Sequence, residues 1–262
     1  MSPAKQKTDK PYYQISSLVN GLRVLELLAE KESLTVTEVA RFLDLDRSAC
    51  NRFLLTLKDM GYVKVDPRAR YRLTLKVFEI GNKIANIVEV RPVARPYMRK
   101  LVNLHKETVN LGYWDGFDIV TIDVVSGQEV IRFDSPIGSR SPIHTLAMGK
   151  AILAFRPQEQ QTAYLESVDF QPFTPNTITN VERFRKELEN VRRQGYALDN
   201  EEWAIGVCCV AAPVFDFTNY PSHAISISGP SQNFTDEKVA QIVKDLTLLC
   251  KSLSEELSTR NT

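Results

Sequence analysis

The chain has 262 residues, 43% of them apolar, enough to build the cores of two modest domains, so wholesale disorder is excluded. No stretch approaches 18 uncharged apolar residues, and the opening run from Met1 to Lys10 is polar and lysine-rich; neither a membrane span nor a signal peptide is expected, and a cytoplasmic location follows. The net charge of +1 hides an asymmetry, because 13 of the 33 Lys/Arg and 9 of the 32 Asp/Glu fall in residues 1–75, leaving a basic head on a mildly acidic body with 20 and 23.

Residues 1–14 read as a disordered tail. Ser16 or Ser17 is placed to cap a first helix, in which Leu18, Leu22, Leu25 and Leu28, with Val24 and Leu27, recur at helical spacing. A second, short helix opens at Thr35, where Thr35 and Glu38 have capping-box spacing and Val39, Phe42 and Leu43 form an apolar face. After a turn at Asp44-Leu45, Asp46 caps a third helix with Ala49, Phe53, Leu54 and Leu57 inward, and Gly61 ends it. Short helix, tight turn and longer helix make a helix-turn-helix over about residues 36–58. Strand-like runs Tyr62-Val63-Lys64-Val65 and Tyr71-Arg72-Leu73 flank the basic tip Asp66-Pro67-Arg68-Ala69-Arg70, which predicts a wing over 62–73.

The outward face of the third helix then carries Arg47, Ser48, Asn51 and Arg52, residue types that read base edges and phosphates in a DNA groove. Thr37 on the second helix and Arg68 and Arg70 on the wing complete the candidate duplex-binding set. Two alternatives stay open: a three-helix unit used for protein contacts, and an ion pair of Arg52 with Asp46 or Glu38 in place of a phosphate contact.

The pattern from Thr74 to Val90 predicts a helix bearing Leu75, Phe78, Ile80 and Ile84 that ends before Pro92, serving either as a linker or packed on its own domain. Beyond Pro96 a helix leads into strands at Val109–Trp114, Phe117–Val125 and Glu129–Phe133. Helices at Thr145–Phe155 and Thr179–Gly195, the latter opened by a Thr179/Glu182 capping box, precede strands at Val207–Phe215 and Ala224–Ser228 and a final helix from Thr235. The segregation of strands and helices indicates an α+β fold over 92–260.

On this second domain, Ser226 and Ser228 lie two apart on one strand and share a face, with Cys209 on a neighbouring run, a polar set that suits carboxylate and hydroxyl oxygens. The same spacing also fits serines that face solvent or pair across strands. Ala147 and Met148 open a helix whose free N–H groups attract anions. His144 stands at the same place, either toward a ligand or in an orienting bond to backbone. Cys50, Cys208, Cys209 and Cys250 show no metal-type spacing, so neither zinc nor another cofactor is implied. A cysteine enzyme or a redox sensor built on Cys209 is the rival reading; no cation or base neighbours that residue in sequence, and Cys208 and Cys209 point apart.

Several stretches carry a resemblance to a known family: Val36-Thr37-Glu38-Val39-Ala40, Leu57-Lys58-Asp59-Met60-Gly61-Tyr62-Val63, His144-Thr145-Leu146-Ala147-Met148-Gly149-Lys150-Ala151, Gly206-Val207-Cys208-Cys209-Val210-Ala211-Ala212-Pro213 and Ile225-Ser226-Ile227-Ser228-Gly229-Pro230. From about Ser17 to Leu257 the chain resembles the IclR family of bacterial regulators, with Phe78-Glu79-Ile80-Gly81 and Ile137-Gly138-Ser139-Arg140-Ser141-Pro142 most like the branch that senses sugar-derived keto acids and next most like the aromatic-acid sensors. The resemblance implies a winged helix-turn-helix over 15–75, a linker helix over 76–91 on which protomers pair, and a GAF-like effector domain over 92–260. It implies effector contacts at Phe133, Ala147, Met148, Asp199, Cys209, Ser226 and Ser228, with Asp199 accepting from a ligand hydroxyl. The implied partners are palindromic double-stranded operator DNA, a small carboxylate and further copies of the chain as a dimer or dimer of dimers. Members often carry threonine and tyrosine where this chain has Ala49 and Asn51, so the operator sequence does not transfer.

Overall fold

The computed structural model describes residues 13–82, 90–216 and 218–260. The expected tail falls almost wholly on residues outside these, as does the centre of the expected linker. Two compact units result, the first ending at Ala85 and the second beginning at Asn86.

In the first unit α1 (Ser16–Glu30), α2 (Val36–Leu43) and α3 (Arg47–Asp59) pack on a two-stranded wing of β1 (Val63–Val65) and β2 (Tyr71–Leu73), followed by α4 (Lys76–Asn82). The caps of α2 and α3 are those their sequence dictates: Thr35 and Glu38 close a reciprocal capping box, and the Asp46 carboxylate accepts the Ala49 N–H. Gly61 takes a left-handed φ of 79° just past α3. At α1 the expectation fails: Ile15 occupies the N-cap, and neither Ser16 nor Ser17 supplies a capping bond.

The core consists of Val24, Leu27, Leu28, Leu34, Val39, Cys50, Leu54, Leu57, Val63 and Tyr71. Cys50 takes the buried position expected of Ala49 and Phe53, which are only half-buried, because the face of α3 turned toward α1 and α2 is centred on Cys50, Leu54 and Leu57. Phe42 stays 49% exposed, its ring beneath the Arg41 guanidinium at 5.3 Å.

The second unit is a six-stranded antiparallel sheet in the order β5-β4-β3-β8-β7-β6, formed by β3 (Thr108–Asp115), β4 (Asp118–Val125), β5 (Arg140–Pro142), β6 (Ala197–Asn200), β7 (Val207–Phe215) and β8 (Pro221–Pro230). One face packs on α5 (Val90–His105) and α9 (Asp236–Arg260) through Val109, Leu111, Val210, Ala212, Ile225 and Ile227. The other faces a 3-10 turn (Ile143–Thr145), α6 (Ala147–Leu153), α7 (Gln158–Ser167) and α8 (Val181–Gln194).

Four expectations for this unit are corrected. Pro92 marks no boundary: it sits in the first turn of α5, where a proline forfeits no intrahelical bond, and α5 runs on through Pro96, because burial of Val93, Ala94, Met98, Leu101 and Val102 outweighs the roughly 3 kcal/mol that an interior proline costs. Glu129–Phe133 is not a strand: Val130 and Ile131 are exposed, and the third strand of the meander is β5. The helix expected from Thr145 starts at Ala147, after the 3-10 turn. Asn180, not Thr179, caps α8, its Oδ1 accepting the N–H groups of Glu182 and Arg183.

Candidate functional site

The first unit presents Arg47, Ser48, Asn51 and Arg52 from α3, Thr37 from α2 and Arg68 from the wing tip, all exposed. Arg52 has neither of the ion-pair partners expected for it: Asp46 caps α3, and Glu38 is bound to Thr35 and lies 3.4 Å from Arg70. The wing turn is shaped by Asp66, whose Oδ1 accepts from the N–H groups of Arg68 and Arg70.

Arg70 itself departs from its expected role. Its guanidinium donates to the Ser33 hydroxyl at 3.0 Å and the Ser33 carbonyl at 2.7 Å and pairs with Glu38, so it stitches the wing to the start of α2. Arg70→Ala is therefore expected to lower stability by about 1–2 kcal/mol while leaving the salt dependence of duplex binding unchanged; denaturant titration and anisotropy at several salt concentrations check both.

A basic pair escaped the sequence reading. The register sets Lys64 directly opposite Arg72 on the exposed side of the wing, and like charges so placed repel unless an anion sits over them. Strict alternation in Val63-Lys64-Val65 was the feature that pointed to Lys64.

In the second unit, strand register builds a polar row. Asp199 on β6 stands opposite Cys209 on β7, Cys209 opposite Ser228 on β8, and Ser228 opposite Thr108 on β3; Ser226 lies opposite Asn110 in the next row. Side chains alternate across the sheet, so Cys209, Ser226 and Ser228 face α6 while Val210, Ile225 and Ile227 face the other core. Both serines are buried, which rules out a solvent-facing role for them.

Seven of the expected residues, Phe133, Ala147, Met148, Asp199, Cys209, Ser226 and Ser228, line one cavity. It is narrow, about 30 Å³, room for one or two waters. His144 is not among its lining: the ring lies against Phe170 with Nε2 on the Gln171 carbonyl, the backbone alternative, because the 3-10 turn aims it at the 170–173 segment. Asn110, Thr121, Ser135, Ser141, Leu146 and Trp203 also line the cavity and had not been singled out; Asn110, a lone amide between Val109 and Leu111, was the legible one.

The polar lining is incompletely satisfied. Asn110 Nδ2 donates to Ser228 Oγ at 2.9 Å, but its Oδ1 has no partner; Asp199 Oδ1 accepts the Glu202 N–H at 2.7 Å, but its Oδ2 has no N–H or O–H partner, the Cys209 thiol being the one other group in reach of the carboxyl. An unmet buried polar atom costs about 1–3 kcal/mol, so two in one cavity mark a place shaped for something besides stability. Burial pushes the Asp199 carboxyl up to about 7, against the pull of the Glu202 N–H and Lys150. Burial likewise holds the Cys209 thiol well above its usual range, with Asp199 adding to the effect, so a thiolate nucleophile is disfavoured. Lys150, fully buried on α6, reaches Glu202 Oε1 at 2.6 Å and Glu187 Oε1 at 3.4 Å. Gly149 lets α6 approach: a Cβ there would stand 2.3 Å from the Ile143 carbonyl oxygen.

Among the described residues no cluster of ligating side chains suits a metal ion, and no helix is long and apolar enough to cross a membrane. The IclR helix-turn-helix domain matches residues 17–67, and the bacterial transcriptional regulator IclR C-terminal domain matches residues 82–255. The HTH-type transcriptional regulator KdgR of Escherichia coli K12 is 34% identical over 255 residues, 97% of each chain. The transcriptional repressor IclR of the same organism is 33% identical over 232 residues, 87% of this chain and 85% of its own. Among solved structures, IclR of Thermotoga maritima superposes with a TM-score of 0.81 at 33% identity, covering 93% of this chain and 99% of that one.

Proposed function

Because this chain belongs to the IclR family of bacterial transcriptional regulators, we propose that it is a cytoplasmic repressor of a catabolic operon whose hold on DNA is relieved by a small keto or sugar acid. Residues 15–75 bind the operator, residues 76–91 link the domains, and residues 92–260 sense the effector. Arg47, Ser48, Asn51 and Arg52 read the groove; Thr37, Arg68 and the Lys64/Arg72 pair contact the backbone. Pairing of two copies, as a dimer or dimer of dimers, sets a palindromic operator.

The observation that carries the effector half is the cavity: hydroxyls and an amide on β3 and β8, two unmet acceptors, and no basic side chain in the lining. At about 30 Å³ it admits an organic acid only if the irregular segment carrying Phe133 and Ser135 moves. That requirement supplies the coupling, since a ligand shifts an equilibrium only by binding one arrangement better than another.

The test is duplex release. Fluorescence anisotropy on DNA from the protein's own upstream region, titrated with keto, sugar and aromatic acids, is expected to show dissociation with one of the first two classes. The same acid at one hundred times its Kd raises stability by about 2.7 kcal/mol, read as a thermal shift. If every acid leaves both readouts unmoved, the reading is wrong.

A further inference from the structure

We propose, building on the effector reading above, that Asp199 carries a proton when the site is filled and donates a hydrogen bond from Oδ2 to an acceptor oxygen of the bound acid, so that effector binding takes up a proton. The geometry assigns the proton to Oδ2. Oδ1 already accepts the Glu202 N–H at 2.7 Å and the Trp203 N–H at 3.4 Å, whereas Oδ2 has no N–H or O–H partner in a residue only 1% exposed that lines the cavity, the one other group in hydrogen-bond reach of the carboxyl being the weakly donating Cys209 thiol.

Charge decides the rest. The other polar lining groups are neutral hydroxyls, an amide, an indole and a thiol, and an anionic acid brought beside an ionised Asp199 would place two negative charges in one enclosed site, where they do not both persist. Lys150 cannot offset them, since its ammonium is held between Glu202 and Glu187. The ionisable groups facing Asp199 are Lys150 on α6, Glu202 on the turn after β6, and Cys208 and Cys209 on β7, with Glu187 of α8 beyond Lys150. Both thiols are held protonated by burial, so neither neutralises the site. In the empty protein the Asp199 carboxyl, at about 7, is poised to accept the proton. A protonated carboxyl matches a carbonyl or carboxylate oxygen of the ligand, which reverses the donor and acceptor roles expected from the resemblance.

Calorimetry of the full-length protein with pyruvate and 2-oxobutyrate, run at each pH in two buffers of different ionisation enthalpy, tests this between pH 6 and 9. Burial lowers both His144 and His105, which works against either holding a proton in that window. Uptake of close to one proton is expected at about pH 8.5, falling toward none at about pH 6, with affinity weakening about tenfold per pH unit above pH 7. Asp199→Asn keeps an oxygen for the Glu202 N–H and a permanent donor toward the cavity; it is expected to bind within a few-fold of the wild type at pH 6, take up no proton and lose the pH dependence. Binding by the wild type with flat affinity and no proton uptake, or an unaltered pH profile in a folded Asp199→Asn protein, overturns the donor role alone. Failure of any small acid, including the anisotropy panel, to bind even at pH 6 overturns the effector reading and this proposal with it.

Discussion

Replacing Arg47 and Arg52 together by alanine is expected to weaken binding to the specific duplex by two to three orders of magnitude, since an arginine on a base edge or phosphate contributes about 1–3 kcal/mol. The slope of log affinity against log salt is expected to fall by about one for each phosphate that is no longer neutralised. Both side chains are exposed, and the buried face of α3, made of Cys50, Leu54 and Leu57, is untouched, so the variant retains its fold. Anisotropy at several salt concentrations measures both quantities, with circular dichroism to confirm the helices. An unchanged affinity and slope in a folded protein would remove α3 from the DNA groove. The protein-contact alternative for the first unit would then stand.

Lys150→Met is expected to lower the stability of the second unit by about 3–5 kcal/mol, the effect of leaving a buried charge without its partner. Glu202 is 7% exposed, and its carboxylate loses the 2.6 Å bond from Nζ that opposes the upward push of burial on its pKa. Against a total stability of roughly 5–15 kcal/mol this is a large fraction. The double variant Lys150→Met with Glu202→Gln is expected to recover part of the loss, which isolates the pair from the packing of the lysine stem. Urea titration reads both. A single variant with an unshifted midpoint would show that the ion pair contributes nothing net.

What was legible in the sequence was what local chemistry decides. Thr35, Glu38, Asp46 and Gly61 act within one helical turn of their own positions, so the boundaries of α2 and α3 followed from spacing alone. The shared face of Ser226 and Ser228 is equally local, a matter of strand alternation, and the family resemblance led to the cavity that Asp199 and Cys209 also line. The misses came where a distant partner decides. Arg70 looked like a wing contact because Ser33 lies 37 positions away, and Asn110 entered the cavity only through its pairing with Ser226, 116 positions on. Glu129–Phe133 has apolar, strand-forming residues but no neighbouring strand to complete its hydrogen bonds, and composition cannot reveal that.

Cross-strand alignment has a consequence for how this protein tolerates change in length. Asp199, Cys209 and Ser228 meet because three strands keep step, and removal of a single residue from β7 ahead of Cys209 would reverse the facing of whichever flank gives way. Where the flank carrying Cys209 gives way, Val210 would then occupy its place in the chamber wall, and a thiol position would become a hydrocarbon one. Substitutions can retune the chamber piecemeal, whereas insertions and deletions in β6 to β8 erase it at a stroke.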